Sequence, residues 1–307
     1  MAVSGTVPTE LGDKKIRDLL MQYAVPAIIA MTASSLYNMV DSIFIGHIKD
    51  VGSYAISGLA VTFPLMNIAT ALGTLVGVGA STILSMLLGQ KNYEAANKVL
   101  VNEVMLNVIV GISFTIVTLL FLDPILMFFG ASANTLPYAR DYMVIILIGN
   151  VITHLYFGLN NIIRASGSPK LAMALTIFTV VSNTIMDPIF IFWLDMGIKG
   201  AALATVICQL LALVYTLKYF LSDKNYLHLP RRMSGYKLDW RIAKDSLTIG
   251  MGPFLMNSAA CIVTMFINQQ LSKYGGDLAI GAYGIVNRFT FLFIMVNMGL
   301  NQGMQPI

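Results

Sequence analysis

Residues 51–90, VGSYAISGLAVTFPLMNIATALGTLVGVGASTILSMLLGQ, run for 40 positions without a charged side chain, between Asp50 and Lys91. A straight helix of that length would measure roughly 60 Å, against ~30 Å of bilayer hydrocarbon. The run is therefore either one long helix that bends and protrudes, or two short ones turning near Gly77-Val78-Gly79. Composition sets the frame for the choice. The chain is 57% hydrophobic and 11% charged, where a soluble domain is about 25% charged. It reads as an all-α integral membrane protein. Eight spans are expected, at about 17–46, 53–89, 97–122, 136–159, 170–193, 198–221, 244–273 and 278–307.

The basic residues decide between one helix and two. With 53–89 as a single span, Lys14, Lys15, Arg17, Lys91, Lys98, Arg164, Lys170, Lys218, Lys224, Arg231, Arg232, Lys237, Arg241 and Lys244 share one side, and Lys49, Arg140, Lys199 and Lys273 the other. Positive-inside bias then makes the N-terminus cytoplasmic. Splitting the run would set the first three basic residues against the other eleven, so the single helix is preferred. The net charge of +4 follows from this loop placement and calls for no nucleic-acid partner.

Residues 222–243, SDKNYLHLPRRMSGYKLDWRIA, are the one long polar stretch and read as a cytoplasmic linker. On either side the chain repeats itself. Pro26 and Pro253 follow Ile16 and Ile242 at nearly equal distance, and Gly73 and Gly77 are echoed by Gly299 and Gly303. The offsets, 227 and 226 residues, make spans 7 and 8 a second copy of spans 1 and 2. The expected organisation is a six-helix lobe over 1–221, the linker over 222–243, and the first two helices of a second lobe over 244–307. A complete second copy would need roughly 120–150 further residues, so the chain reads as a fragment of a longer product.

The costly residues are two aspartates inside apolar spans. A carboxylate in hydrocarbon costs roughly 2.5–3.5 kcal/mol on insertion scales, so a chain that keeps one there has a use for it. Span 1 carries Ser34, Ser35, Asn38, Asp41 and Ser42 at helical spacing on one face, with Tyr37 one turn before Asp41. Span 5 places Asn183 four residues before Asp187, and Pro188 frees the Thr184 carbonyl beside that carboxyl. Both aspartates fall near the outer ends of their spans, level with each other. They can therefore share a site for H⁺ or for Na⁺ with oxygen ligands. The alternative is that both simply cap helix ends, Asp-Pro being a common helix-ending pair.

Other features carry less. Cys208 and Cys261 lie within apolar spans and read as small buried hydrophobes. Glu103 and Asp123 are expected at the interfaces, His154 as a packing residue, and Arg288 inside span 8 needs a partner or a cavity. Gly73, Gly77 and Gly79 read as helix-packing positions. With three scattered histidines, no HExxH, no GxSxG and no Walker A, neither a metal centre, a cofactor nor an enzyme is expected.

Three stretches carry a family resemblance. Leu36-Tyr37-Asn38-Met39-Val40-Asp41-Ser42-Ile43-Phe44-Ile45-Gly46 resembles the first-helix motif of the multidrug and toxic compound extrusion (MATE) transporters. Asn183 to Phe192 with Gly200 to Thr205, and Asn160-Asn161-Ile162-Ile163-Arg164-Ala165-Ser166-Gly167, resemble later motifs of the same family, in order. The resemblance implies twelve helices in two bundles and export of cationic or amphipathic organic compounds in exchange for H⁺ or Na⁺. It also implies a monomer in a bacterial or archaeal cell membrane. The branch similar to DinF proteins implies a cation site at Asp41 and Asp187 with Asn183, Thr205, Asn160 and Tyr142 as its hydrogen-bonding shell. On that reading Na⁺ would sit among Asp41, Asn183, Asp187 and Thr205. Pro26 corresponds to the kink of helix 1, and Tyr37, Asn38 and Ser34 line the substrate path beside it. Span 7 has no carboxylate beyond Asp245 at its start, unlike the branch similar to NorM proteins. A lipid-linked oligosaccharide flippase of the same superfamily, or an intramembrane aspartyl enzyme, are the rival readings.

Overall fold

In the computed structural model, which describes residues 15–48, 52–222, 225–230, 232 and 235–305, the uncharged run is a single helix. We number the helices in chain order. α1 is Ile16–Gly46 and α2 is Gly52–Gly89, 38 residues long. The turn that ends α2 bonds Asn92 N to Leu87 O at 2.9 Å and puts Lys91 at φ 57. Asn92 then caps α3 (Tyr93–Leu120) by accepting from Ala95 N at 3.1 Å. α3 therefore starts a turn before the expected 97.

A short α4 (Leu122–Phe128) leads to α5 (Leu136–Ile148) and α6 (Asn150–Ala165). The sequence reading drew one span over 136–159. The structure has two helices meeting at 57° and continuing to Ala165. The bend sits at Gly149, where an added Cβ would come within 2.5 Å of Val206. Thr115 of α3 serves the opened backbone there, its Oγ1 donating to Leu147 O at 3.0 Å, and the Asn150 side chain of α6 ties the bend to α3 through Gly111 O at 3.3 Å.

α7 (Pro169–Pro188) loosens immediately after its last proline into a π-helical turn, Ile189–Trp193. α8 is Gly197–Phe220, and α9 runs from Trp240 to Met304 with Gly276 breaking it at φ 68 and ψ −170. The arms 240–275 and 277–304 correspond to spans 7 and 8. The expected linker is too long at its end, because Asp239 caps α9 by accepting from Arg241 N at 2.9 Å and residues 240–243 are helical.

The described part of the linker is tied to the bundle. Asn97 Nδ2 donates to Tyr226 O at 3.2 Å while its Oδ1 accepts from His228 N at 2.8 Å, and Asp239 N donates to Asn102 Oδ1 at 2.8 Å. Leu227 and Leu229 are buried, and Tyr226 donates its hydroxyl to Ser166 O. Burial raises that phenol above the ordinary tyrosine range.

α9 packs along α1 and α2. Where they cross, side chains are missing. Cβ atoms on Gly299 and Gly303 would stand 2.6 and 2.3 Å from Ile28 Cα and Ala24 Cα of α1. Cβ atoms on Gly79 and Gly250 would stand 1.9 and 1.8 Å from Ser246 O and Leu75 O. The second helix of each copy thus crosses the first helix of the other, which is the reciprocal contact a duplicated unit makes. Pro26, buried, lies between Ala24 and Ile28 in one crossing. At the same end Gln305 Nε2 donates to Thr82 Oγ1 at 2.6 Å and to Ser81 Oγ at 3.0 Å, and Arg164 bonds Gln302.

Candidate functional site

α1 and α7 pack side by side, and the two aspartates meet there. Asp41 is 4% exposed and Asp187 fully buried. Asp187 stands within reach of the Asp41 charge. Neither caps a helix. α1 continues to Gly46 beyond Asp41, and Asp187 precedes the π-helical turn that Pro188 opens, so the capping alternative falls.

Around them the shell is partly formed. Asn183 Nδ2 donates to Thr205 Oγ1 of α8 at 3.3 Å, and Thr205 donates to Ala201 O at 3.1 Å. That amide orientation turns Asn183 Oδ1 away from any donor. Asp41 Oδ1, both oxygens of Asp187 and Asn183 Oδ1 are all buried and complete no hydrogen bond, the Asn183 side chain leaning toward Asp187 without closing one. Four acceptor oxygens without donors suit a proton or a monovalent cation, and they do not suit a hydrogen-bond donor network already closed on itself.

Tyr142 is buried on α5 in the apolar cluster that includes Ile191, Ile198 and Ala201, the residue whose carbonyl Thr205 bonds. Asn160 reaches α7 at Ala172 O (3.2 Å) and Thr176 Oγ1 (3.4 Å), nearly two turns before Asn183. It therefore lies a layer away, roughly 10 Å along the helix axis. Ser34 is half-buried on α1, and the side chains of Tyr37 and Asn38 lie outside the described residues. Cys208 and Cys261 are free and buried, as expected.

Two residues have surroundings that the sequence does not show. Glu103 is fully buried on α3, where α6 closes over it at Gly158. Arg288 lines a small cleft between α2 and the arms of α9 with Phe63, Thr264, Asn268, Tyr283 and Asn287, and its charge acts on Asp41. Asn268 in that cleft is 1% exposed, with both side-chain heteroatoms unbonded. No sequence spacing ties Arg288 to Asp41, since they come from the two ends of the chain.

The MatE family pattern matches residues 26–189, more than half of the chain, and takes in both aspartates. The chain belongs to the MatE family. This MatE chain is 31% identical over 288 residues to the multidrug export protein MepA of Staphylococcus aureus (strain MSSA476), covering 94% of this chain. It is 32% identical over 295 residues to MepA of Staphylococcus haemolyticus (strain JCSC1435). It spans 63% and 64% of the length of these two relatives. The structure of the MATE multidrug transporter DinF-BH in complex with a dye superposes with a TM-score of 0.90 at 34% identity, over 100% of this chain and 67% of that one. The MatE fold accounts for the all-α, multi-pass architecture.

Proposed function

We propose that this chain belongs to a secondary multidrug exporter and carries its ion-coupling site at Asp41 and Asp187. The observation that supports this most directly is the set of four donor-less buried oxygens on Asp41, Asp187 and Asn183. The export function named for the MepA relatives, and the dye-bound DinF-BH structure, point the same way. The coupling ion, H⁺ or Na⁺, enters between α1 and α7 and neutralises the pair. Cationic or amphipathic substrate then loses its counter-charge and leaves. α1 bends at Pro26 as the six-helix lobe and the partner lobe rock between faces, with the N-terminus on the cytoplasmic side of the cell membrane and the protein acting as a monomer. Tyr142 completes the shell beside Ala201, Asn160 supports it from a neighbouring layer, and Ser34, Tyr37 and Asn38 border the substrate path. The flippase alternative needs several cations to hold a pyrophosphate. Among the described residues that line the cleft, Arg288 is the one cation.

Ethidium efflux from cells lacking their own exporters tests this. Asp41→Asn and Asp187→Asn should each stop efflux while the protein still inserts. Efflux at the wild-type rate in either variant would overturn the assignment. A protonophore arrests an H⁺-driven cycle, and removal of external Na⁺ arrests a Na⁺-driven one.

A further inference from the structure

A second carboxyl is buried in the bundle, away from the aspartates. Glu103 Oε1 accepts from Asn107 Nδ2, one turn further along α3, at 2.5 Å. Glu103 Oε2 and Asn107 Oδ1 are buried and meet no donor. Across from them, a Cβ on Gly158 of α6 would fall 1.8 Å from Glu103 Oε1 and 2.5 Å from Asn107 Nδ2. The carboxyl and amide therefore fill the space that glycine alone leaves open. One turn earlier on α6 is His154, 1% exposed. It leans toward the Ala69 carbonyl of α2, yet neither ring nitrogen completes a hydrogen bond. Gly111 and Gly73 close in on the ring, with added Cβ atoms 3.6 Å from Nδ1 and 3.5 Å from Cδ2. Three helices thus converge, through glycines, on a carboxyl, an amide and an imidazole.

Among the described residues, the surroundings offer no balancing charge. α2 contributes no charged side chain or histidine, and its one titratable group, Tyr54, lies at the opposite end. On α6, Tyr156 faces Thr179 and Arg164 is bonded to Gln302. α9 gives this face Ala243 and Leu247, while Lys244 and Asp245 are exposed. On α4 and α5, Asp123 pairs with Arg140, and Asp141 pairs with Lys199 of α8. On α3 itself, Glu94 pairs with Lys98, both exposed.

An ionised carboxylate held by one amide in this setting would be very costly. A hard cation would require about six oxygens, where two are open. A proton requires no room. We propose that Glu103 binds a proton at Oε2 and forms, with Asn107, a proton site at the linker end of the bundle, independent of the aspartate pair. The neutral acid makes Oε2 a donor, with the unbonded Asn107 Oδ1 as the nearest acceptor the structure names. Losing that proton leaves a bare carboxylate against the Gly158 crossing, and water must then enter between α3 and α6.

The 307 residues hold three glutamates, Glu10, Glu94 and Glu103, and Glu94 is exposed. Protein labelled with ¹³C-glutamate and reconstituted in lipid at neutral pH should show a labelled carboxylic-acid C=O stretch in the infrared. Glu103→Gln should delete that band, and Asp41→Asn and Asp187→Asn should keep it. A wild-type spectrum with only carboxylate stretches, or an undiminished acid band in Glu103→Gln, would overturn the proposal. Should Glu103→Gln fail to fold, Asn107→Leu serves instead. Losing the Nδ2 donor should move the band to higher frequency, and an unmoved band would equally overturn the proposal.

Discussion

Gly303 of α9 lies so close to Ala24 of α1 that a Cβ on it would stand 2.3 Å from the Ala24 Cα. The obstacle is backbone, which cannot rotate aside. Gly303→Val should therefore destabilise the protein by about 1–3 kcal/mol, and so should Gly250→Val, aimed at the Leu75 carbonyl. Gly89→Ala, with nothing within 4 Å, is the control and should leave the melting temperature in detergent unchanged.

The amide of Asn183 is oriented by its bond to Thr205. Thr205→Val removes that acceptor and lets Asn183 turn its Oδ1 out of the site. The concentration of coupling ion for half-maximal efflux should rise about tenfold, the effect of losing roughly one oriented hydrogen-bonding group. Thr205→Ser should restore it, which separates orientation from simple packing.

Arg288 acts on Asp41 as a fixed positive charge. Taking it away removes a competitor for the coupling cation, so Asp41 should hold that cation more tightly. For an H⁺-driven cycle, Arg288→Gln should move the external pH of half-maximal ethidium efflux upward by about one unit. Arg288→Lys should move it less. A downward shift would mean that the two charges do not compete.

Asn97 holds the linker from both sides, through Tyr226 O and His228 N. Asn97→Ala loses two hydrogen bonds worth about 0.5–1.5 kcal/mol each. Trypsin should then cut faster at the exposed Arg232 and Lys237, with little change in global melting.

The features legible in the sequence were those carried by local chemistry. The charge-free 51–90 run gave α2 as one helix, because basic residues fix the sidedness of every loop at once. Asp41 and Asp187 stood out because a carboxylate is conspicuous among apolar neighbours. The duplicated prolines and glycines announced a repeat, and two of those glycines, Gly299 and Gly303, sit where α9 crosses α1.

What escaped was long-range. Gly149 bends the fourth span because Val206, 57 residues later, presses on it, and nothing local marks that glycine. The burial of Glu103 could not be read from its position in span 3, since the Gly158 that closes over it lies on another helix. The start of α9 was readable and missed. Asp239 before Trp240 is an N-cap signal, obscured by the basic residues around it.

The repeat offset of 227 that relates Pro26 to Pro253 also relates Asp41 to Asn268. Position for position, the buried, unbonded amide of the cleft is the sister of the carboxylate proposed for coupling. Such reciprocal crossings are what an isologous homodimer would present, and gene fusion releases its two copies from having to stay identical. Here one copy has kept an ionisable group and the other a neutral amide of nearly the same shape. The two copies thus differ at this position by the exchange of one oxygen for one nitrogen.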